Sequence, residues 1–103
     1  MIEKIFEKTI TEIISECDIN ESEKNKEVLQ TILGFFIDEC NVSIEEIKSG
    51  SILRDSFNYS SADGILLIHE IDTNYDYDIP DKVVYNLNIS LKEFVIMIMS
   101  YVR

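Results

Sequence analysis

Several things are scarce in this chain, and each scarcity excludes a class of chemistry. Three glycines cannot build a glycine-rich phosphate loop. The only histidine, His69, has no evident nucleophile or base to join it, so a catalytic triad or a His-dependent enzyme is not expected. Cys17 and Cys40 lie far apart, without CxxC or Cys/His ligand spacing. With so few ligands a structural zinc is not expected, and both thiols read as small hydrophobes on the apolar sides of helices. Basic residues are few, 9 against 20 acidic ones, for a net charge of −11. Nucleic acid is therefore not an expected partner, and neither is an anionic membrane surface, because both need clustered Lys and Arg. No apolar run is long enough to cross a bilayer. The first fourteen residues carry Glu3, Glu7 and Glu12, unlike a signal peptide, which makes the cytoplasm the expected location. Internal repeats are also lacking, and β-type alternations are few.

What is present is helical periodicity. Ile2, Ile5, Phe6, Ile10, Ile13, Ile14 and Cys17 predict a first helix over residues 2–17. Residues 18–23, polar except for Ile19, interrupt the pattern. Leu29, Ile32, Leu33, Phe36, Ile37 and Cys40 form one continuous stripe on a second helix, with Asn41 as its expected end. Residues 42–51 read as a loop anchored inward by Ile44 and Ile47, with a turn at Gly50. A third helix opens at Ser60 or Ser61, and Asp63 in its first turn favours the positive end of the helix dipole. Leu67, Ile68, Ile71 and Tyr75 make its core stripe. Ile65 and His69 lie to one side of that stripe, and Asp63, Leu66, Glu70 and Thr73 lie on the opposite, wetter face. After a loop rich in Asp and Tyr, Pro80 can open a short turn containing Val83 and Val84. The last helix begins at a capping box, Ser90 with Glu93, and buries Phe94, Met97, Ile98 and Tyr101.

The expected fold is an all-α, four-helix bundle of three long helices and a short one (residues 23–103), with an extra N-terminal helix in residues 1–22. The acidic surface suits partners with basic patches. Asp76, Asp78 and Asp81 do not make a calcium loop, because Pro80 interrupts the pattern and no central Gly or terminal Glu is in place. No metal site is expected. The tyrosines Tyr59, Tyr75, Tyr77 and Tyr85 read as loop and core anchors.

The stretch from Leu53 to Pro80 resembles the acyl carrier protein family, which includes the peptidyl carriers. Leu53, Arg54, Asp55, Ser56 and Phe57 look like the family's lead-in, and Asp78, Ile79, Pro80 and Asp81 look like its loop ending. Ser61 stands nineteen residues before Pro80, the spacing of the family's modified serine. The resemblance covers about residues 26–102. It implies a carrier and not an enzyme, with 4′-phosphopantetheine attached to Ser61 by a phosphopantetheinyl transferase. It implies docking to acyl- or aminoacyl-loading and processing enzymes through Asp63, Ile65, His69 and Asp72. This chain departs from the family where Ser60 replaces the usual Asp, Ala62 the usual Leu, and Leu66 and Thr73 common acidic residues. Those departures point to a dedicated pathway and transferase. The other reading is an acidic helical interaction module that keeps the carrier fold without a prosthetic group.

Overall fold

The computed structural model describes residues 2–20 and 22–101, with side chains from residue 7 onward. The expected contributions of Ile2, Ile5 and Phe6 to the first helix's apolar face therefore lie outside the described residues. The chain is an all-α helical bundle, and no strand occurs among the described residues. Its helices are α1 (Ile2–Cys17), α2 (Glu23–Asp38), α3 (Leu53–Ser56), α4 (Ser61–Tyr75) and α5 (Leu91–Met99), with 3-10 turns at Ile44–Glu46 and Asp81–Val84.

The helix starts follow local side-chain chemistry. Ser22, Ser60 and Ser90 each take extended backbone angles, and each hydroxyl oxygen accepts from the amide three residues on, at Asn25, Asp63 and Glu93. That satisfies one of the amides a helix N-terminus leaves without an intrahelical partner. At Ser90 the expected capping box is complete, with the Glu93 carboxylate reaching back to the Ser90 amide at 3.5 Å. Helix ends rely on left-handed residues that tolerate positive φ. Asp18 (φ 55°) lets the Ile19 amide reach back to the Ile14 carbonyl at 3.0 Å, and Asp76 (φ 59°) stops α4.

Helix α5 ends at Met99, so Tyr101 lies beyond it and not on its apolar face, and two further elements differ from the sequence expectation. The second helix ends at Asp38, with Glu39 as its cap, so Cys40 lies beyond it and not on its apolar side. The apolar spacing continues through Cys40, but the backbone has already begun to turn toward Asn41 (φ 57°), and the Val42 amide closes onto the Phe36 carbonyl at 3.2 Å. Cys40 is nevertheless buried. The second difference is α3, a single turn where the sequence pattern predicts no helix. Its local pattern is too short to show in sequence, and its support comes from far along the chain. The amides of Leu53 and Arg54 donate to the carbonyls of Ile89 and Leu87, while those of Leu91 and Lys92 donate to Ser51 and Ser49. Around the isolated antiparallel bridge between Ile52 and Ser90, this ties the entry of α3 to the entry of α5.

One core serves the described residues. Phe36, Phe57, Phe94, Leu29, Ile32, Leu33, Leu53, Leu67, Ile68, Ile71, Leu91 and Ile98 are its largest fully buried side chains. Helix α1 touches α2, α5 and the first 3-10 turn, and adds Ile10, Ile13, Ile14 and Cys17 to the same cluster. The radius of gyration, 12.4 Å, is close to the ~13 Å of a compact 100-residue domain. The first helix is thus packed against the bundle. Ile44 and Ile47 are buried as expected, while Tyr75, Met97 and Tyr101 are only half-buried at the rims.

Candidate functional site: the serine pair at the head of α4

The chain enters α4 through a sharp reversal at Asn58 (φ 48°), which turns Tyr59 inward. The Tyr59 ring packs edge-on against Phe94 at 5.6 Å and Phe35 at 6.1 Å, and is tilted against Phe36 at 6.1 Å. Its hydroxyl donates to the Val84 carbonyl at 2.9 Å. Burial, with Cys40 and Asp63 nearby, pushes the Tyr59 phenol well above its ordinary pKa, so it remains a neutral donor. Gly64 lets this ring lie directly on the helix: a Cβ there would stand 2.8 Å from Val84 Cβ and 2.9 Å from Tyr59 Cζ, and would overlap the Tyr59 hydroxyl. The first turn of α4 is therefore fastened to the 3-10 turn Asp81–Val84 through Tyr59.

On this fixed base the two serines take different roles. Ser60 is exposed and caps the helix: its hydroxyl oxygen accepts from the Asp63 amide at 3.3 Å and its O–H donates to Asp63 Oδ2 at 2.8 Å. Ser61 is the first residue of α4, half-exposed, and its hydroxyl has no hydrogen-bond partner among the described residues. The two possible caps left open by the sequence resolve to Ser60.

The other candidate residues divide between two flanks. At about 100° per residue, Ser61, Ile65, His69 and Asp72 fall on one side of the buried stripe of Leu67, Ile68 and Ile71. Ile65 is half-buried and packs on the core, whereas His69 is exposed. Asp72 is half-buried, and its Oδ1 accepts from the Ile79 amide at 3.1 Å. It therefore fastens the acidic loop back onto α4, a role that no feature of the sequence pattern announced. Asp63 instead lies on the opposite flank, bonded to Ser60 and facing α2 across a groove that Leu66 and Glu70 also line. The loop after α4 is anchored by buried Tyr77 and Ile79, with Lys24 Nζ 5.4 Å from the centre of the Tyr77 ring. Of the other tyrosines, Tyr59 is buried and Tyr85 is exposed.

Both cysteines are free and buried. Burial raises both thiol pKa values, that of Cys40 to about 11 with Asp63 and Glu39 adding to the effect. Neither is a ready nucleophile. Among the described residues no group of three His, Cys, Asp or Glu side chains is arranged to hold a metal, and no helix is long and apolar enough to cross a membrane.

Comparison of the chain with protein-family models, with curated proteins and with solved structures gave no match in any of the three.

Proposed function

We propose that this chain is an acyl carrier, with Ser61 as the attachment point for 4′-phosphopantetheine. The observation that carries this reading is the division of labour in the serine pair. Ser60 meets the capping requirement of α4, which leaves the Ser61 hydroxyl half-exposed and unpartnered at the head of a fifteen-residue helix. A phosphate ester suits that place, because the leading amides and the dipole of a helix favour an anion. When bound, the group would supply a terminal thiol to hold acyl or aminoacyl cargo as a thioester. The chain's own part is to hold the serine still, through Tyr59 and Gly64, and to offer Ile65, His69 and the acidic surface to basic partners. Such docking is transient and salt-sensitive. The reading places the protein in the cytoplasm, beside a phosphopantetheinyl transferase and the enzymes that load and process the cargo.

The test is intact mass after incubation with coenzyme A and a broad-specificity transferase. A gain equal to phosphopantetheine is expected, lost in Ser61→Ala and retained in Ser60→Ala. Ser60→Ala is expected instead to cost about 1 kcal/mol of stability through the lost cap, whereas Ser61→Ala should leave chemical denaturation nearly unchanged. If no transferase adds mass, the chain is an interaction module without a prosthetic group, a reading favoured by Ser60 and Ala62 standing where the carrier family has Asp and Leu.

A further inference from the structure

The opposite flank of α4 has features that the serine does not explain. Between α2 and α4 runs a groove of about 270 Å³, floored by Gly34 and Phe35 and edged by Leu66. Leu66 is 68% exposed, the most exposed large hydrophobic side chain among the described residues. Asp38, Glu39, Asp63 and Glu70 also line the groove, and its lining contains no Lys, Arg or His. None of the four is paired with a cation among the described residues.

Gly34 is the telling residue. It lies inside α2, and its φ is negative. A Cβ placed on it would meet nothing within 4 Å. Neither backbone conformation nor packing calls for glycine there, although glycine is the poorest helix former after proline. What its missing side chain does is deepen the floor of the groove opposite Leu66. A local rule broken without a structural return is a mark of a functional surface.

We propose that this groove docks a basic amphipathic helix of a partner protein, with an aliphatic side chain of that helix seated over Gly34 against Leu66 and its Lys or Arg residues facing the four carboxylates. The volume falls just below the roughly 300–1,000 Å³ of small-molecule sites and suits one or two aliphatic side chains. An extended peptide gains affinity by hydrogen bonding to a sheet edge, and no strand exists among the described residues. A helix satisfies its own backbone and brings only side chains to the groove. The charge of the rim selects a cationic partner. This surface faces α2, away from Ser61 and Ile65, with Leu66 bordering His69 one turn on. It shares Asp63 with the docking residues of the carrier reading, and its use does not depend on whether Ser61 is modified.

The probe is a synthetic amphipathic peptide of about 18 residues, with Leu at i, i+3, i+4 and i+7 spacing and Lys on the other face, titrated into the full ¹⁵N-labelled chain. Amide shifts are expected to concentrate in residues 30–39 and 63–70. Leu66→Ser and Gly34→Leu should each weaken binding about tenfold or more, as should a peptide of equal charge with Leu replaced by Ala. Both sites are open, so these variants should fold, as circular dichroism would verify. Gly34→Ala should raise the midpoint of thermal unfolding. Ser61→Ala should bind the peptide unchanged, which separates this proposal from the carrier reading. Equal binding by the Ala peptide would overturn it, as would shifts centred on Ser61 and Ile65 or a lower midpoint for Gly34→Ala.

Discussion

Phe36→Ala is expected to destabilise the fold by about 3–5 kcal/mol, the cost of truncating a fully buried phenylalanine. Phe36 is completely inaccessible and stands at the centre of an aromatic cluster. Its ring centroid lies 4.9 Å from Phe57, 5.2 Å from Phe35, 6.0 Å from Phe94 and 6.1 Å from Tyr59. These neighbours come from α2, α5 and the loop leading into α4, so the cavity cannot close by moving one side chain. Because such pairs carry edge and offset contacts beyond their buried area, the upper part of the range is expected. A loss of that size is a large share of the roughly 5–15 kcal/mol that holds a domain folded. The midpoint and slope of urea unfolding would measure it. A cost under about 1 kcal/mol would contradict the packing described.

Gly64→Ala is expected to cost about 2–4 kcal/mol, although alanine is intrinsically the better helix former. The added methyl meets Val84 Cβ, which is close to its own backbone and cannot swing away, and it overlaps the Tyr59 hydroxyl. Relief requires α4 to lift from the 3-10 turn or the Tyr59 ring to withdraw, losing the bond to the Val84 carbonyl. Overpacking of this kind costs about 1–3 kcal/mol, and the lost hydrogen bond adds about 1 kcal/mol. A double-mutant cycle with Tyr59→Phe separates the two parts. Removing the hydroxyl relieves one overlap and leaves the other, so the pair should cost less than the sum of the single changes. At Gly34 the same substitution should have the opposite sign, a gain of about 0.5–1 kcal/mol, because nothing stands in the path of the new methyl. The two glycines differ only in what surrounds them, which no local pattern records.

The same distinction separates what was legible in the sequence from what was not. The extents of α1 and α4 and the start of α5 follow from apolar spacing and from serines followed three residues later by Asp or Glu, which are local signals. The turn after Pro80 follows from proline's fixed φ. The burial of Ile44 and Ile47 is also readable, because isolated aliphatic residues in a polar loop have few other places to go. Helix α3 was not legible, since its entry amides are satisfied by carbonyls at Leu87 and Ile89. The end of α2 is hidden in the sequence because Cys40 keeps the stripe's spacing while the backbone has already left the helix. Within the site, the choice of Ser60 as cap needed the position of Asp63, and the fastening of Ile79 by Asp72 needed the loop's return path. The groove beside Leu66 is an arrangement of two helices, visible in neither sequence segment alone.

The two buried thiols turn the molecule into its own clock. Cys17 is carried on α1, while Cys40 lies just past the end of α2, and each is free and shielded. A thiol reagent can reach either one only after the surrounding structure opens, and the raised pKa values leave little thiolate to react before that. Labelling of Cys17 therefore times the detachment of α1, and labelling of Cys40 times the opening at the end of α2. Equal rates would mean that the first helix lives and dies with the rest of the bundle. A faster Cys17 would mean that the protein sheds its first helix as a separate event, long before the serine at the head of α4 loses its support.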